Sequence, residues 1–386
     1  MERLVTSDLK LGIIAGGQLG KMLIQEASKW DISSYVLDPE ENCPAASIAS
    51  VYIKGDYLNY EDVYNFGKQV DVLTYELENI NIDALKKLEE EGLQIKPSPQ
   101  ILELIQDKGL QKNFYQEHGI PTAAYSLYPY AEAIRESVAA GKLKFPFVQK
   151  LRKGGYDGRG VAVIRNETDL GNLLEGASLV EEMVNIRKEI SVVVARNENG
   201  QVRCFPTVEM VFDKKANLVE KLICPSTVSP LLSAEAKSIA EGIIEKLGMS
   251  GLLAVEFFVD DQDQLIVNEV APRPHNSGHH SIESIVTSQF EQHLRAILNL
   301  PLGSTKMKIP SVMLNIVGAE GYEGKVMYEG LTESMAMEGV KIHLYGKKIT
   351  MPNRKMGHVT ILSRELDDAI LKAEEIKNKI KVKSWK

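Results

Sequence analysis

GLLAVEFFVDDQDQLIVNEVAPRPHNSGHH, residues 251–280, is the stretch on which the reading of this chain turns. Val255–Asp260 and Leu265–Val270 are runs rich in β-branched and aromatic residues separated by a short polar turn, the pattern of a β-hairpin. A symmetric turn centred between Gln262 and Asp263 places Glu256 directly opposite Glu269. Like charges facing each other across strands repel, unless a cation sits between them. With Asn268 alongside, the two carboxylates form an all-oxygen set that suits Mg²⁺ carried in with phosphates. A pair of solvated strand carboxylates is the alternative reading.

Upstream, residues 10–100 alternate apolar strand candidates with amphipathic helices. LGIIAG leads into a helix at about 18–30; SSYVLD, a helix from about 60 and VDVLTYE follow. This βαβαβ rhythm predicts a doubly wound parallel sheet whose ligand edge lies at the carboxyl ends of its strands. KPSPQ at 96–100 closes the unit. Residues 145–195 hold short strands around a glycine-rich loop. Long strands, the hairpin and helices at about 233–247 and 281–299 follow, and a βαβ-like piece spans 310–386. The expected divisions are 1–105, 106–187, 188–305 and 306–386.

Composition narrows the class. At 386 residues the chain predicts two or three domains, and 44% hydrophobic with 25% charged residues is an ordinary globular balance. A net charge of −8 argues against nonspecific nucleic-acid binding. Three cysteines without metal-like spacing suggest reduced thiols in a cytosol. The N-terminus lacks the apolar core of a secretory signal, and no run approaches a membrane span. The lysines from Lys377 to Lys386 read as a solvated, basic helix end.

Two glycine loops invite anions. AGGQLGKM, residues 15–22, ends the first strand, with Asp38 ending the second. Its amides suit an anionic group, but the dinucleotide fingerprint is incomplete, because Ala15 holds the first glycine position. KLRKGGYDGRGV, residues 150–161, is denser in glycine and strongly basic, which suits a mobile lid over nucleotide phosphates. It is no P-loop, since Val161 follows Gly160 where Lys-Ser/Thr is required. Between loop and hairpin, SLVEEMVNIRKEI at 178–190 offers edge backbone groups for adenine and Glu189 for ribose hydroxyls.

In this order, Lys108, Lys150, the GGYDGRG loop, EEMV with Glu189 and the Glu256/Asn268–Glu269 set resemble the ATP-grasp superfamily. Three further stretches resemble the N5-carboxyaminoimidazole ribonucleotide synthetase family, ATP-dependent carboxylating enzymes of bacterial purine synthesis. They are TYELENI at 74–80, NEVAPRPHNSGHH at 268–280, and RKMGH at 354–358 with Lys347 before it. The resemblance implies a mixed α/β and α+β architecture. A doubly wound pre-ATP-grasp domain is followed by a two-lobed ATP-grasp fold and a small C-terminal α/β subdomain.

It also implies a reaction: ATP, bicarbonate and 5-aminoimidazole ribonucleotide give the N5-carboxylated ribonucleotide, ADP and phosphate through carboxyphosphate. Lys108, Lys150, Gly155, Tyr156, Asp157, Gly158, Arg159, Gly160, Val161, Glu181, Glu182, Met183, Val184, Glu189, Asn268 and Glu269 would bind ATP, with Mg²⁺ on Glu256 and Glu269. Arg273, His275 and Asn276, with Tyr156, would hold bicarbonate, since Arg is a planar fork matched to such an anion. Gln18, Leu19, Glu76 and Asn79 would meet the ribonucleotide, and Lys347, Arg354 and Lys355 its phosphate. A cytosolic homodimer is the implied assembly.

The chain departs from the family pattern at three places. Ala15 stands for a third glycine, Phe212 for a nucleotide-side histidine, and Asn353 for a glycine, where Asn tolerates a left-handed backbone. Rival readings are a formate-dependent glycinamide ribonucleotide formyltransferase, a biotin carboxylase, a nicotinamide-dependent dehydrogenase on AGGQLG, and a noncatalytic nucleotide sensor. His275, His279 and His280 suggest zinc when taken alone, but only three imidazoles cluster and no cysteine is near, which argues against it.

Overall fold

The computed structural model describes residues 8–155, 160–213 and 218–385. Its N-terminal sheet is parallel throughout, in the order Val51–Lys54, Ser33–Asp38, Lys10–Ile14, Val72–Tyr75, Gln94–Ile95. The chain winds outward from Lys10–Ile14 in both directions, so a ligand crevice opens beyond the carboxyl ends of Lys10–Ile14 and Val72–Tyr75. Leu11, Ile13, Ile14, Val36, Leu37 and Leu73 are fully or nearly fully buried, as a sheet covered on both faces requires. The helix Gln18–Ala27 supports one face through Leu19, Met22, Leu23 and Ala27, a 3.6-residue stripe. Val51–Lys54 is a strand the rhythm missed, because residues 39–50 reach it without a helix.

A four-stranded antiparallel sheet follows, in the order Tyr125–Tyr128, Ser178–Glu182, Phe147–Leu151, Val161–Ile164. It packs on a small core of Ala131, Ile134, Phe147, Ile164 and Val180.

The large sheet runs Leu265–Ala271, Gly251–Asp260, Ile186–Arg196, Val208–Asp213, Leu218–Cys224, Ser311–Val317, Lys355–Leu362, Val340–Leu344. Its main supporting helix, Pro230–Lys246, begins with Pro at its first position after Ser229, whose hydroxyl caps the Leu232 amide. Ala236, Ala240, Ile243 and Ile244 of that helix pack on Ile190, Val192, Val255 and Phe257. Each large side chain buried there contributes about 1.5–3 kcal/mol.

Two expectations change. The segment 281–299 is not one helix: Ser281–Ser284 and Gln289–Ile297 are separated at Ile285–Ser288, where β-branched residues precede Ser288, the cap of the second helix. The C-terminal piece is no separate βαβ unit either. Ser311–Val317 pairs antiparallel with Leu218–Cys224 and with Lys355–Leu362, so the last strands extend the large sheet. The basic tail is tied down by Lys377–Glu220, Lys379–Glu375 and Lys383–Glu329 pairs.

The hairpin carries the detail that matters most. Glu256 does face Glu269, but Phe257 pairs with Val267, one residue out of step with the symmetric register. A β-bulge at Asn268 absorbs the difference. Leu265, Val267 and Val270 point into the core, leaving Asn268 and the adjacent Glu269 both on the opposite face. Bulges re-aim side chains in this way.

Candidate active site

The re-aimed pair meets two lysines from other elements. Lys108 Nζ donates to Glu269 Oε2 at 2.6 Å, and Lys150 Nζ donates to Asn268 Oδ1 at 2.9 Å. Lys108 opens the helix Lys108–Glu117, whose cap, Asp107, accepts the Gly109 amide at 2.8 Å and is gripped by Arg152 Nε and Nη2 at 2.8 and 2.7 Å. The root of the glycine loop and the start of the lysine helix are therefore one unit. Lys150 also pairs with Glu181 Oε2 at 2.7 Å, and Lys112 with Glu181 Oε1 at 2.5 Å. Ammonium and carboxylate groups alternate along this chain, which holds each lysine in place before a phosphate arrives.

Glu256 and Glu269 are perturbed in opposite directions. Burial and the Glu269 charge push Glu256 up, with Glu189 adding to the effect. The Lys108 ammonium holds Glu269 down against the cost of burial. Glu269 keeps 45% of its side chain accessible and Glu256 only 16%, so Glu269 is the carboxylate that opens to the cleft. A buried acid pushed up by an ionised neighbour fits a divalent cation placed between the two. Glu256, Glu269 and Asn268 present hard oxygens of the kind that suits Mg²⁺. Among the described residues no group of three or more His, Cys, Asp or Glu is placed to hold a metal ion.

Beside the carboxylates lies the turn after Pro274. His275 Nε2 stands 3.4 Å from Glu256 Oε1. Its Nδ1 accepts the Ser277 amide at 3.3 Å and lies 2.9 Å from the Ser277 hydroxyl. Burial, with Arg273 and Lys355 nearby, lowers His275 to about 3, so the ring is neutral. A neutral ring whose Nδ1 accepts carries its proton on Nε2, facing the cleft. Asn276 Nδ2 is buried without a protein partner among the described residues, an unspent donor that fits an anion. Arg273 forms a two-point pair with Glu78, Nε to Oε1 at 2.8 Å and Nη2 to Oε2 at 3.1 Å.

At the edge of the N-terminal sheet, Glu76 accepts the amides of Gly17 and Gly20 at the start of the helix Gln18–Ala27. Burial raises Glu76, with those amides and Arg273 opposing it. A carboxylate already on these amides repels a pyrophosphate there, which argues against the dehydrogenase reading. Gln18 and Leu19 lie on the same turn, and Asn79 is exposed nearby. Ala15, in the missing-glycine position, takes φ 71, and Asn353 takes φ 65. Burial, Arg354 and Lys355 lower Lys347 to about 8, while Glu76 opposes them. A lysine depressed by basic neighbours in this way is a candidate for holding an anion.

The nucleotide-side residues divide. A cleft of about 390 Å³ is lined by Glu182, Met183, Val184, Asn185 and the hairpin turn Asp260–Gln262. Glu181 does not belong to an edge: its strand is paired on both sides, and its side chain serves Lys112 and Lys150. Free backbone begins only beyond Glu182, whose amide bonds Ala124. Burial raises Glu189 to about 7. Gly155, Gly160 and Val161 flank the loop, with Gly160 at φ 77, whereas Tyr156, Asp157, Gly158 and Arg159 lie outside the described residues. Phe212 packs with the Val208, Met210 and Leu222 cluster. The histidines do not converge on one ion: His279 Nδ1 meets Gln289 and His280 Nδ1 meets Ser284.

Sequence reasoning passed over Lys112, Glu78 and Gln289. Lys112 was signalled by its i+4 spacing from Lys108 on one helix. Glu78 sits two residues after Glu76 in the quoted TYELENI stretch. Gln289 had no signal, being one of several polar residues in an amphipathic helix.

A two-lobed fold setting lysines and opposed carboxylates around one cleft, with the root of a glycine-rich loop beside them, defines an ATP-grasp enzyme, an ATP-dependent ligase. Three family matches tile the chain: the ribonucleotide synthetase preATP-grasp domain over residues 9–106, the ATP-grasp domain over 113–290, and the phosphoribosylaminoimidazole carboxylase C-terminal domain over 311–372. A Bacillus subtilis N5-carboxyaminoimidazole ribonucleotide synthase is 36% identical across 96% of this chain and 94% of its own. The Thermotoga maritima N5-carboxyaminoimidazole ribonucleotide synthetase structure superposes with a TM-score of 0.90, at 46% identity over 98% of this chain and 100% of that one. An Aspergillus clavatus N5-carboxyaminoimidazole synthase in complex with ADP and the aminoimidazole ribonucleotide matches at TM-score 0.87 and 29% identity, over 97% and 100%. The chain belongs to the N5-carboxyaminoimidazole ribonucleotide synthetase family.

Proposed function

We propose that this ligase carboxylates 5-aminoimidazole ribonucleotide with bicarbonate at the expense of ATP, in purine biosynthesis. One observation carries the reading: the bulge that turns Asn268 and Glu269 toward Lys150 and Lys108, beside the His275–Asn276 turn and across from the Glu76 edge. A bicarbonate oxygen attacks the γ-phosphorus, ADP leaves, and carboxyphosphate forms. The exocyclic amine of the imidazole then takes the carboxyl carbon, and phosphate departs.

Phosphoryl transfer of this kind needs positioning and charge neutralisation more than covalent help. Lys108 and Lys150 neutralise the phosphates. His275 donates through Nε2–H and Asn276 through its unspent amide, fixing the bicarbonate, while the neutral ring of His275 serves as a donor and not as an acid. Arg273 adds positive charge, oriented by Glu78. Bound Mg²⁺ would be held by Glu256 and Glu269 with Asn268 nearby, and would supply further neutralisation of the phosphates. Met183 and Val184 offer backbone groups to adenine, and Glu189 meets the ribose. Lys347, Arg354 and Lys355 receive the ribonucleotide phosphate.

The glycine loop keeps water from the reactive mixed anhydride. No helix among the described residues is long and apolar enough to cross a membrane. A cytosolic homodimer is carried by the family resemblance, and light scattering checks the assembly. The deciding assay is ADP release: it should require both bicarbonate and aminoimidazole ribonucleotide. Formate replacing bicarbonate would install the formyltransferase reading instead.

A further inference from the structure

Gln289 opens the helix Gln289–Ile297 and is completely buried. Its side chain spends every polar group on the turn that carries His275. Oε1 accepts the His275 amide at 2.9 Å. Nε2 donates to the His275 carbonyl at 2.8 Å and to His279 Nδ1 at 3.0 Å. The orientation of the amide follows from its partners, since its oxygen faces an N–H and its nitrogen a carbonyl. Gln289 is itself anchored, because its backbone N–H donates to Ser281 Oγ at 2.8 Å. The turn is fitted to it: a Cβ on Gly278 would lie 2.3 Å from Oε1.

We propose that Gln289 is a positioning residue for the inorganic-carbon site, clamping the main chain on both sides of His275 so that the His275 and Asn276 donors converge on one anion. This rests on the reading that His275 and Asn276 hold bicarbonate. A buried amide left to fill space would cost stability wherever its hydrogen bonds went unmade, and an apolar residue of the same length would serve there as well. Pairing both the donor and the acceptor of one residue instead fixes that residue's position and rotation.

The experiment compares Gln289→Met, Gln289→Glu and Gly278→Ala with His275→Gln in the full chain. The Michaelis constants for bicarbonate and ATP are measured together with the ratio of ADP released to ribonucleotide carboxylated. Gln289→Met keeps the length and removes the hydrogen bonds. Gln289→Glu keeps the shape but sets a carboxylate oxygen against the His275 carbonyl. Gly278→Ala leaves Gln289 in place and presses a methyl on Oε1, so it serves where a Gln289 variant fails to fold.

The expected result is a bicarbonate constant raised roughly tenfold or more, an ATP constant within about twofold, and more ADP released per carboxylation. Unchanged bicarbonate behaviour in the folded variants, with His275→Gln still raising that constant, overturns the proposal and leaves the site reading intact. An equal rise in both constants also overturns it, since that marks general loss of structure. If His275→Gln alters ATP and not bicarbonate, the site reading falls and takes the proposal with it.

Discussion

Glu256 and Glu269 are register partners across the hairpin, so both carboxylates share a face, and the bulge at Asn268 brings the Asn268 amide onto that face beside them. Lys108 sits on Glu269 at 2.6 Å while Glu256 has the His275 ring at 3.4 Å. Removing charge from the exposed member weakens both the lysine anchor and the cation site. Glu269→Gln should lower turnover by more than roughly a hundredfold, the scale of losing one electrostatic contact to a reacting group. Wild-type ADP release by that variant would refute the metal assignment.

Arg273, two residues before His275, is held by Glu78 at two points. Arg273→Ala should stop carboxylation or uncouple it from ATP hydrolysis, with nucleotide affinity near normal by calorimetry. A large loss of ATP binding would move Arg273 to the nucleotide. Glu78→Gln keeps the shape of the pair and weakens it, so a smaller defect of the same kind is expected.

Gly17 is a contact glycine. A Cβ there would lie 2.2 Å from Glu76 Oε1, although the Gly17 backbone at φ −73 suits any residue. Gly17→Ala should therefore displace the Glu76 carboxylate without straining the turn. The expected outcome is a Michaelis constant for the ribonucleotide raised about tenfold with that for ATP unchanged. An ATP defect would show that the turn serves the nucleotide.

The parts legible in the sequence were those with a local pattern. The alternation of LGIIAG, SSYVLD and VDVLTYE reveals a parallel sheet, and the polar turn between two β-rich runs reveals the hairpin. A symmetric turn also brings Glu256 opposite Glu269 on arithmetic alone. The bulge was invisible, because an extra residue in one strand changes no composition, yet it alone puts Asn268 and Glu269 on one face. The pairing of Glu181 was hidden for a related reason: a strand's neighbours decide whether its backbone is free, and those neighbours lie about 30 and 55 residues upstream. The Gln289 clamp depends on a helix break at Ile285–Ser288 that periodicity had bridged.

Asp107 joins the lysine helix to the glycine loop. Burial would raise its pKa, but Arg152 and the Gly109 and Leu110 amides outweigh that and hold it below the ordinary carboxylate value. Asp107→Ala removes a cap, worth about 1–2 kcal/mol, and strands Arg152. Because the folded value is the lower one, this stabilisation is present above the unfolded carboxylate range and fades as pH falls through the folded value. Denaturant titrations should show the wild-type advantage over Asp107→Ala near neutrality and its loss in acid.

At the proposed ribonucleotide-phosphate site, Lys347 should set a pH limit on the alkaline side. Burial, Arg354 and Lys355 bring it down to about 8, so the free enzyme loses that charge well before an ordinary lysine would. A phosphate needs the protonated form. kcat/KM for the ribonucleotide, which reports groups of the free enzyme, should therefore fall about tenfold per pH unit above 8. kcat/KM for ATP should not share that limb. Stability moves the other way: the unfolded chain binds the proton more tightly, so raising pH through the window above 8 relieves the cost of the buried ammonium. Lys347→Arg keeps its charge throughout, and its ribonucleotide profile should stay flat to about pH 10. A wild-type profile already flat there would remove Lys347 from the phosphate site.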